Sequence, residues 1–107
     1  MSSRAALIWC PFPDEGIARG IVRTLLDERL IACGNLVPTL QSQFLWDGAV
    51  DSGTECGALL KTTTLRMAAA MKRLEGLHPY DLPAITGWAV ETTEATLAWL
   101  ERETRPD

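Results

Sequence analysis

Cys33-Gly34-Asn35-Leu36-Val37-Pro38-Thr39-Leu40-Gln41-Ser42-Gln43-Phe44-Leu45-Trp46-Asp47-Gly48 reads as a long extended run ending in a tight turn. Leu36, Leu40, Phe44 and Trp46 fall on one side of a two-residue period, the repeat of a pleated strand. Pro38 interrupts the run and cannot donate to a sheet ladder, so it implies an edge position or a bulge. Asp47-Gly48 is a strong hairpin signal, because these residues accept the backbone that a tight turn requires. The returning strand is expected over about Thr54 to Thr63, ending in Leu59-Leu60-Lys61-Thr62-Thr63.

The flanks complete the pattern. Upstream, Ala5 to Trp9 is a short apolar run suited to a buried strand and stopped by Pro11 and Pro13. Asp14 is placed to cap a helix running to about Leu30, with Ile17, Ile21 and Leu25 as its apolar stripe and Ala18, Val22 and Leu26 widening it. Downstream, Thr63 or Thr64 can cap a second helix with Met67, Met71 and Leu74 inward and Gly76 as its end. His78-Pro79-Tyr80-Asp81-Leu82-Pro83 is a rigid connector into a fourth strand, Ala84 to Val90. Thr92 or Thr93 then caps a last helix carrying Ala95, Leu97, Trp99 and Leu100. The order β-α-β-β-α-β plus one helix is the ferredoxin-like pattern, an α+β sandwich.

Composition bounds what such a chain can do. Its 107 residues suit one domain, residues 1–107, with no linker or low-complexity stretch inside it. A net charge of −4 disfavours nucleic acid and anionic membranes, which call for a concentrated basic face. No apolar run is long enough for a membrane span or a signal-peptide core. Three cysteines, Cys10, Cys33 and Cys56, are an odd number without a signal sequence, which argues for a cytoplasmic protein over a disulfide framework. The sandwich hosts many activities, so function rests on individual residues. There is no Walker loop, dinucleotide fingerprint or Cys-x-x-Cys, and a single histidine with no obvious nucleophile–base pair disfavours an enzyme.

Four segments in register carry a family likeness: Glu28-Arg29-Leu30-Ile31-Ala32-Cys33-Gly34-Asn35-Leu36, Trp46-Asp47-Gly48, Lys61-Thr62-Thr63 and His78-Pro79-Tyr80-Asp81-Leu82-Pro83. With Cys10, Pro13-Asp14-Glu15 and Trp99-Leu100, the chain resembles the CutA family of divalent-cation tolerance proteins from about residue 6 to 101. That resemblance implies a ferredoxin-like protomer in a tight homotrimer, assembled like the PII signalling proteins, without an established enzymatic reaction. It implies copper or another divalent cation, weakly bound, as the partner. The family's ligand candidates map onto Cys10 and His78, while Ala84 and Leu77 stand where family members carry a glutamate and, in some, a second histidine.

The residue chemistry gives these expectations content. Cys10 is a soft thiolate ligand suited to copper(I), and His78 a nitrogen donor suited to copper or zinc; the alternatives are a packed strand-end cysteine and a histidine closing a helix. Two ligands make a weak site unless a third comes from water, a neighbouring subunit or a substrate. Lys61, beside three threonines, is a candidate for an anion or for pairing across a subunit boundary. Trp46 and Tyr80 are expected in an intersubunit cleft, which offers a PII-like scaffold for a small anion or an unidentified protein partner as the alternative function. Cys33 and Cys56 are expected to pack, as are Met67 and Met71. Phe44-Leu45-Trp46 puts apolar groups on both faces of a hairpin tip, and burial against another subunit would remove that hazard.

Overall fold

Asp47 and Gly48 both adopt positive φ, 51° and 79°, and close a two-residue turn in which Trp46 pairs with Ala49. This is the mirror-image turn whose twist matches that of the strands it joins. In the computed structural model, which describes residues 3–106, it joins β2 (Cys33–Trp46) to β3 (Ala49–Thr63). Around this hairpin stand β1 (Ala5–Phe12), α1 (Glu15–Asp27), α2 (Thr64–Leu77), β4 (Thr86–Val90) and α3 (Glu94–Glu103). The sheet order is β2-β3-β1-β4, every neighbouring pair antiparallel, as a ferredoxin-like sandwich requires. Met1, Ser2 and Asp107, inside the expected domain, lie outside the described residues.

One face of the sheet meets α1 and α2. Ile8, Cys10, Phe12, Cys56, Ala58 and Leu60 point that way and form the core with Ala18, Ile21, Val22 and Leu25 of α1 and Ala70 and Leu74 of α2. Met67 and Met71 lie under β4, their sulfur atoms 3.1 Å from where a Cβ on Gly87 would stand. Alternation sends Leu7, Trp9, Val37, Leu59 and Trp88 to the other face, where they remain half-exposed or exposed. There Trp9 lies across Gly57, within 2.3 Å of the position a Cβ would take. Pairing with β1 ends at Cys56, so the outer part of the β2–β3 hairpin projects alone and gives a long axis of 45 Å. No helix among the described residues is long and apolar enough to cross a membrane.

Several boundaries differ from the sequence expectation, each for a local reason. β1 does not stop at Trp9 but continues through Pro11 to Phe12. Pro11 turns its carbonyl to His78, on the side where β4 has already ended, so its missing N–H costs no ladder bond. The same proline explains why β4 begins at Thr86 and not Ala84: extending the register would set Ala84 opposite a residue with no donor. β3 starts at Ala49 and not Thr54, because the tight turn holds the polar residues Asp51 to Thr54 in register with β2. Pro38 satisfies both of its predicted roles, since β2 is an edge strand and its register shifts between Val37 and Leu40, with Thr39 at φ 67°.

Helix ends follow suit. The Asp14 side chain accepts from the Ile17 N–H at 2.8 Å, a cap contributing about 1 kcal/mol. α1 ends at Asp27, before Leu30, because Arg29 turns left-handed at φ 60°. The Arg29 N–H then bonds the Leu26 carbonyl and the Leu30 N–H the Leu25 carbonyl, a Schellman closure with Leu25 and Leu30 buried. Ile17 falls off the buried stripe, which centres on Ala18, Ile21, Val22 and Leu25. α2 runs past Gly76 to Leu77 and stops at His78, because a residue before proline is driven from helical backbone. Thr93 caps α3 through the Thr96 N–H at 3.2 Å.

Candidate functional site

Cys10 and His78, 68 residues apart in the chain, meet around one carbonyl. β1 carries Cys10 and Pro11 along its inner edge, and the end of α2 delivers His78 beside them. The Pro11 carbonyl accepts from the Cys10 thiol at 3.4 Å and from His78 Nε2 at 2.8 Å. The Tyr80 N–H donates to His78 Nδ1 at 3.1 Å. A backbone N–H can only donate, so Nδ1 holds the lone pair and Nε2 the proton: the ring is neutral and both nitrogens are engaged. Phe12 stacks on the imidazole at 4.8 Å and 18°, and the Tyr80 ring tilts against its other side, also at 4.8 Å.

The hydrogen bonding continues to Glu55 on β3, which accepts from the Tyr80 hydroxyl at 2.7 Å. Burial keeps the Cys10 thiol and the Tyr80 hydroxyl protonated. Burial, reinforced by the Glu55 charge, pushes the Cys10 thiol up to about 12. Burial likewise pushes the Tyr80 hydroxyl up to about 12, with its hydrogen bond to Glu55 adding to the effect. Cys10 is fully enclosed and His78 is 7% exposed. The arrangement therefore holds a neutral thiol and a neutral imidazole in place, with neither nucleophile nor base free to act.

A metal ion at Cys10 and His78 would have to compete with the hydrogen bonds that already engage both side chains. Ligation requires a thiolate and a free imidazole nitrogen. Here the thiol retains its proton and the ring nitrogens serve Pro11 and Tyr80. No group of three or more histidine, cysteine or acidic side chains is placed to hold an ion among the described residues.

The remaining sequence candidates are dispersed. Tyr80 joins the Cys10–His78 cluster. Lys61 lies at the base of β3, opposite Cys33 and Leu7. Trp46 lies at the hairpin tip, about 40 Å away at the rise of an extended strand. One chain cannot bring Lys61 and Trp46 into one cleft. Cys56 is buried as expected, and Cys33 is half-buried beside Asn35. Sequence reasoning missed the Pro11 carbonyl, Phe12 and Glu55. A carbonyl has no residue-type signature, and Glu55 resembles any solvated acid on a strand until Tyr80 is placed against it.

Residues 6–103 match the family model described as CutA1 divalent ion tolerance protein. The Divalent-cation tolerance protein CutA of Pyrococcus horikoshii is 40% identical over 92% of this chain and 97% of that protein. The crystal structure of CutA from Xylella fastidiosa superposes with a TM-score of 0.91 at 35% identity, covering 95% of this chain and 99% of that one. A second structure, that of the periplasmic divalent cation tolerance protein CutA from Archaeoglobus fulgidus, superposes at 0.90 with 25% identity over 94% of this chain and 99% of its own. The chain belongs to the CutA1 divalent ion tolerance family.

Proposed function

We propose that the protein serves divalent-cation tolerance as a non-enzymatic homotrimer that meets copper or another divalent cation weakly, through Cys10 and His78, with no metal resident between encounters. The cluster around the Pro11 carbonyl carries this reading. It places a soft donor and a borderline nitrogen donor against the same oxygen, yet keeps both neutral and hydrogen-bonded. A cation binding there has to expel the thiol proton and release His78 from Pro11 or Tyr80, so the contact is reversible and pH-dependent. The same neutral pairing supports a non-enzymatic role. The free cysteines support a cytoplasmic location. The half-exposed sheet face and the unsupported hairpin tip support the trimer.

Copper titration of the unaltered protein against a Cys10→Ala/His78→Gln variant checks the site. The double variant is expected to lose at least tenfold in affinity; equal affinities would remove these two residues from the reading.

A second reading, a PII-like scaffold holding a small anion or a partner protein between subunits, is favoured by Lys61. This half-buried lysine makes no salt bridge among the described residues. Since Trp46 is remote from Lys61 in its own chain, such a cleft joins different subunits. Thermal-shift screening with nucleotides and carboxylates is expected to give stabilisation that Lys61→Gln abolishes. Stabilisation by none of them would end this reading.

A further inference from the structure

A cavity of about 490 Å³ lies where the two ends of the chain meet the start of α2. Ser3, Thr63, Arg66, Glu101, Thr104 and Arg105 supply its polar wall, and none of them belongs to the Pro11 cluster. Its volume falls in the range of small-molecule sites, about 300–1,000 Å³.

Three features of the wall ask for an anion. Thr63, the N-cap of α2, is 2% exposed, yet its hydroxyl makes no capping bond and no other side-chain hydrogen bond among the described residues. α1 and α3 are each closed by a capping side chain and an acid in the first turn; the 14-residue α2 has neither. The Thr64 N–H is taken by the Arg4 carbonyl at 2.8 Å, but the positive end of the dipole is left without a side-chain cap or an acid beside the cavity. Arg66 adds a buried Nε with no hydrogen-bond partner among the described residues. A buried donor in that state is an unmet demand for an acceptor.

The charge balance agrees. Neither Arg66 nor Arg105 makes a salt bridge among the described residues. The one acid in the wall, Glu101, already accepts from the Ser3 hydroxyl at 2.6 Å. Two guanidinium groups and a helix N-terminus face a single carboxylate. Backbone N–H groups, a hydroxyl and planar guanidinium forks are the donors that a phosphate takes.

We propose that this cavity binds a small phosphate-bearing anion, gripped by the Thr63 hydroxyl, the start of α2 and the guanidinium groups of Arg66 and Arg105. The volume exceeds what a bare phosphate fills, so a phosphate monoester of a small molecule fits it better than the free ion. The site is independent of the cation reading and of Lys61.

Calorimetric titration and thermal shift of the full chain test it, using inorganic phosphate and glycerol phosphate against chloride at matched ionic strength. Both phosphates are expected to bind and to raise the Tm, the monoester more tightly. Arg66→Gln and Arg105→Gln are each expected to weaken binding at least tenfold. Glu101→Gln, which removes the opposing charge, is expected to tighten it severalfold, a gain that a misfolded variant cannot produce. Copper affinity of Arg66→Gln and phosphate affinity of Lys61→Gln are expected to stay at the unaltered values. Equal Tm in phosphate and chloride, or unchanged affinity in both arginine variants, would overturn the proposal.

Discussion

The unaltered protein is expected to sediment at three times 11.7 kDa, and replacing Leu45 and Trp46 by aspartate is expected to leave a species of 11.7 kDa. Beyond Leu40 and Glu55 the hairpin has, among the described residues, no third strand and no helix behind it. Phe44 and Trp46 point to one side of this ribbon, while Leu45 and the directly opposed Val50 point to the other. Leu45 is 71% exposed, Val50 75% and Trp46 51% in the single chain. Burying a large apolar side chain contributes about 1.5–3 kcal/mol, and a trimer repeats each such gain three times. An aspartate at the same place has to be stripped of water without a partner, which turns the gain into a cost. Asp47-Gly48 is untouched, so the turn and the protomer fold are retained and circular dichroism should match. Sedimentation at micromolar concentration reads the result. A variant that still assembles, or an unaltered chain that runs at 11.7 kDa, would refute the hairpin as the assembly element.

The second large effect is expected at Phe12. It is among the largest fully buried side chains, and its ring stacks on His78. Phe12→Ala removes a ring from a closed core and leaves a cavity, at about 3–5 kcal/mol. In a domain of this size that corresponds to a drop in Tm of at least about 12 °C. The denaturant midpoint should be compared at one fixed protein concentration, since assembly stabilises by mass action. Phe12→Leu, which restores most of the volume without the aromatic face, should recover more than half of the loss. A cost below about 1 kcal/mol for Phe12→Ala would mean that the core under β1 closes around the gap. Because Phe12 also fixes the plane of the imidazole, the variant should loosen the bond from Tyr80 N–H to His78. The imidazole resonances read that change separately from stability.

Much of the fold was legible because its determinants are local. Asp47-Gly48 names its own backbone, Asp14 caps the helix it precedes, and Pro38 announces an edge and a bulge without reference to any other segment. Where an element's end depended on a neighbour, the reading slipped. Pro11 reads as a stop because prolines break ladders, but its carbonyl looks to a side that carries no ladder. Gly76 reads as the end of α2 because glycine closes helices, but Pro79 imposes the stop two residues later at His78. Ile17 fits the apolar stripe by spacing, yet the packing angle of α1 leaves it outside.

The candidate site divides in the same way. The family resemblance singled out Cys10 and His78, whose residue types, a soft donor and the chain's single histidine, suit a metal, and the net charge of −4 disfavoured nucleic acid and anionic membranes as partners. The protonation of Cys10 and His78 could not be read there. It depends on Pro11 receiving both donors, on Tyr80 occupying the second ring nitrogen and on burial raising the thiol. The anion cavity was equally illegible, since it is built from Ser3, Thr63, Arg66, Glu101, Thr104 and Arg105, which no sequence window contains together. Turns, caps and the strand–helix order follow from each residue's own dihedral preferences and a few neighbours, so the chain alone determined them. Which groups keep their protons, and which donors stand unpaired, follow from burial and from contacts across most of the chain; only the tertiary structure decided those.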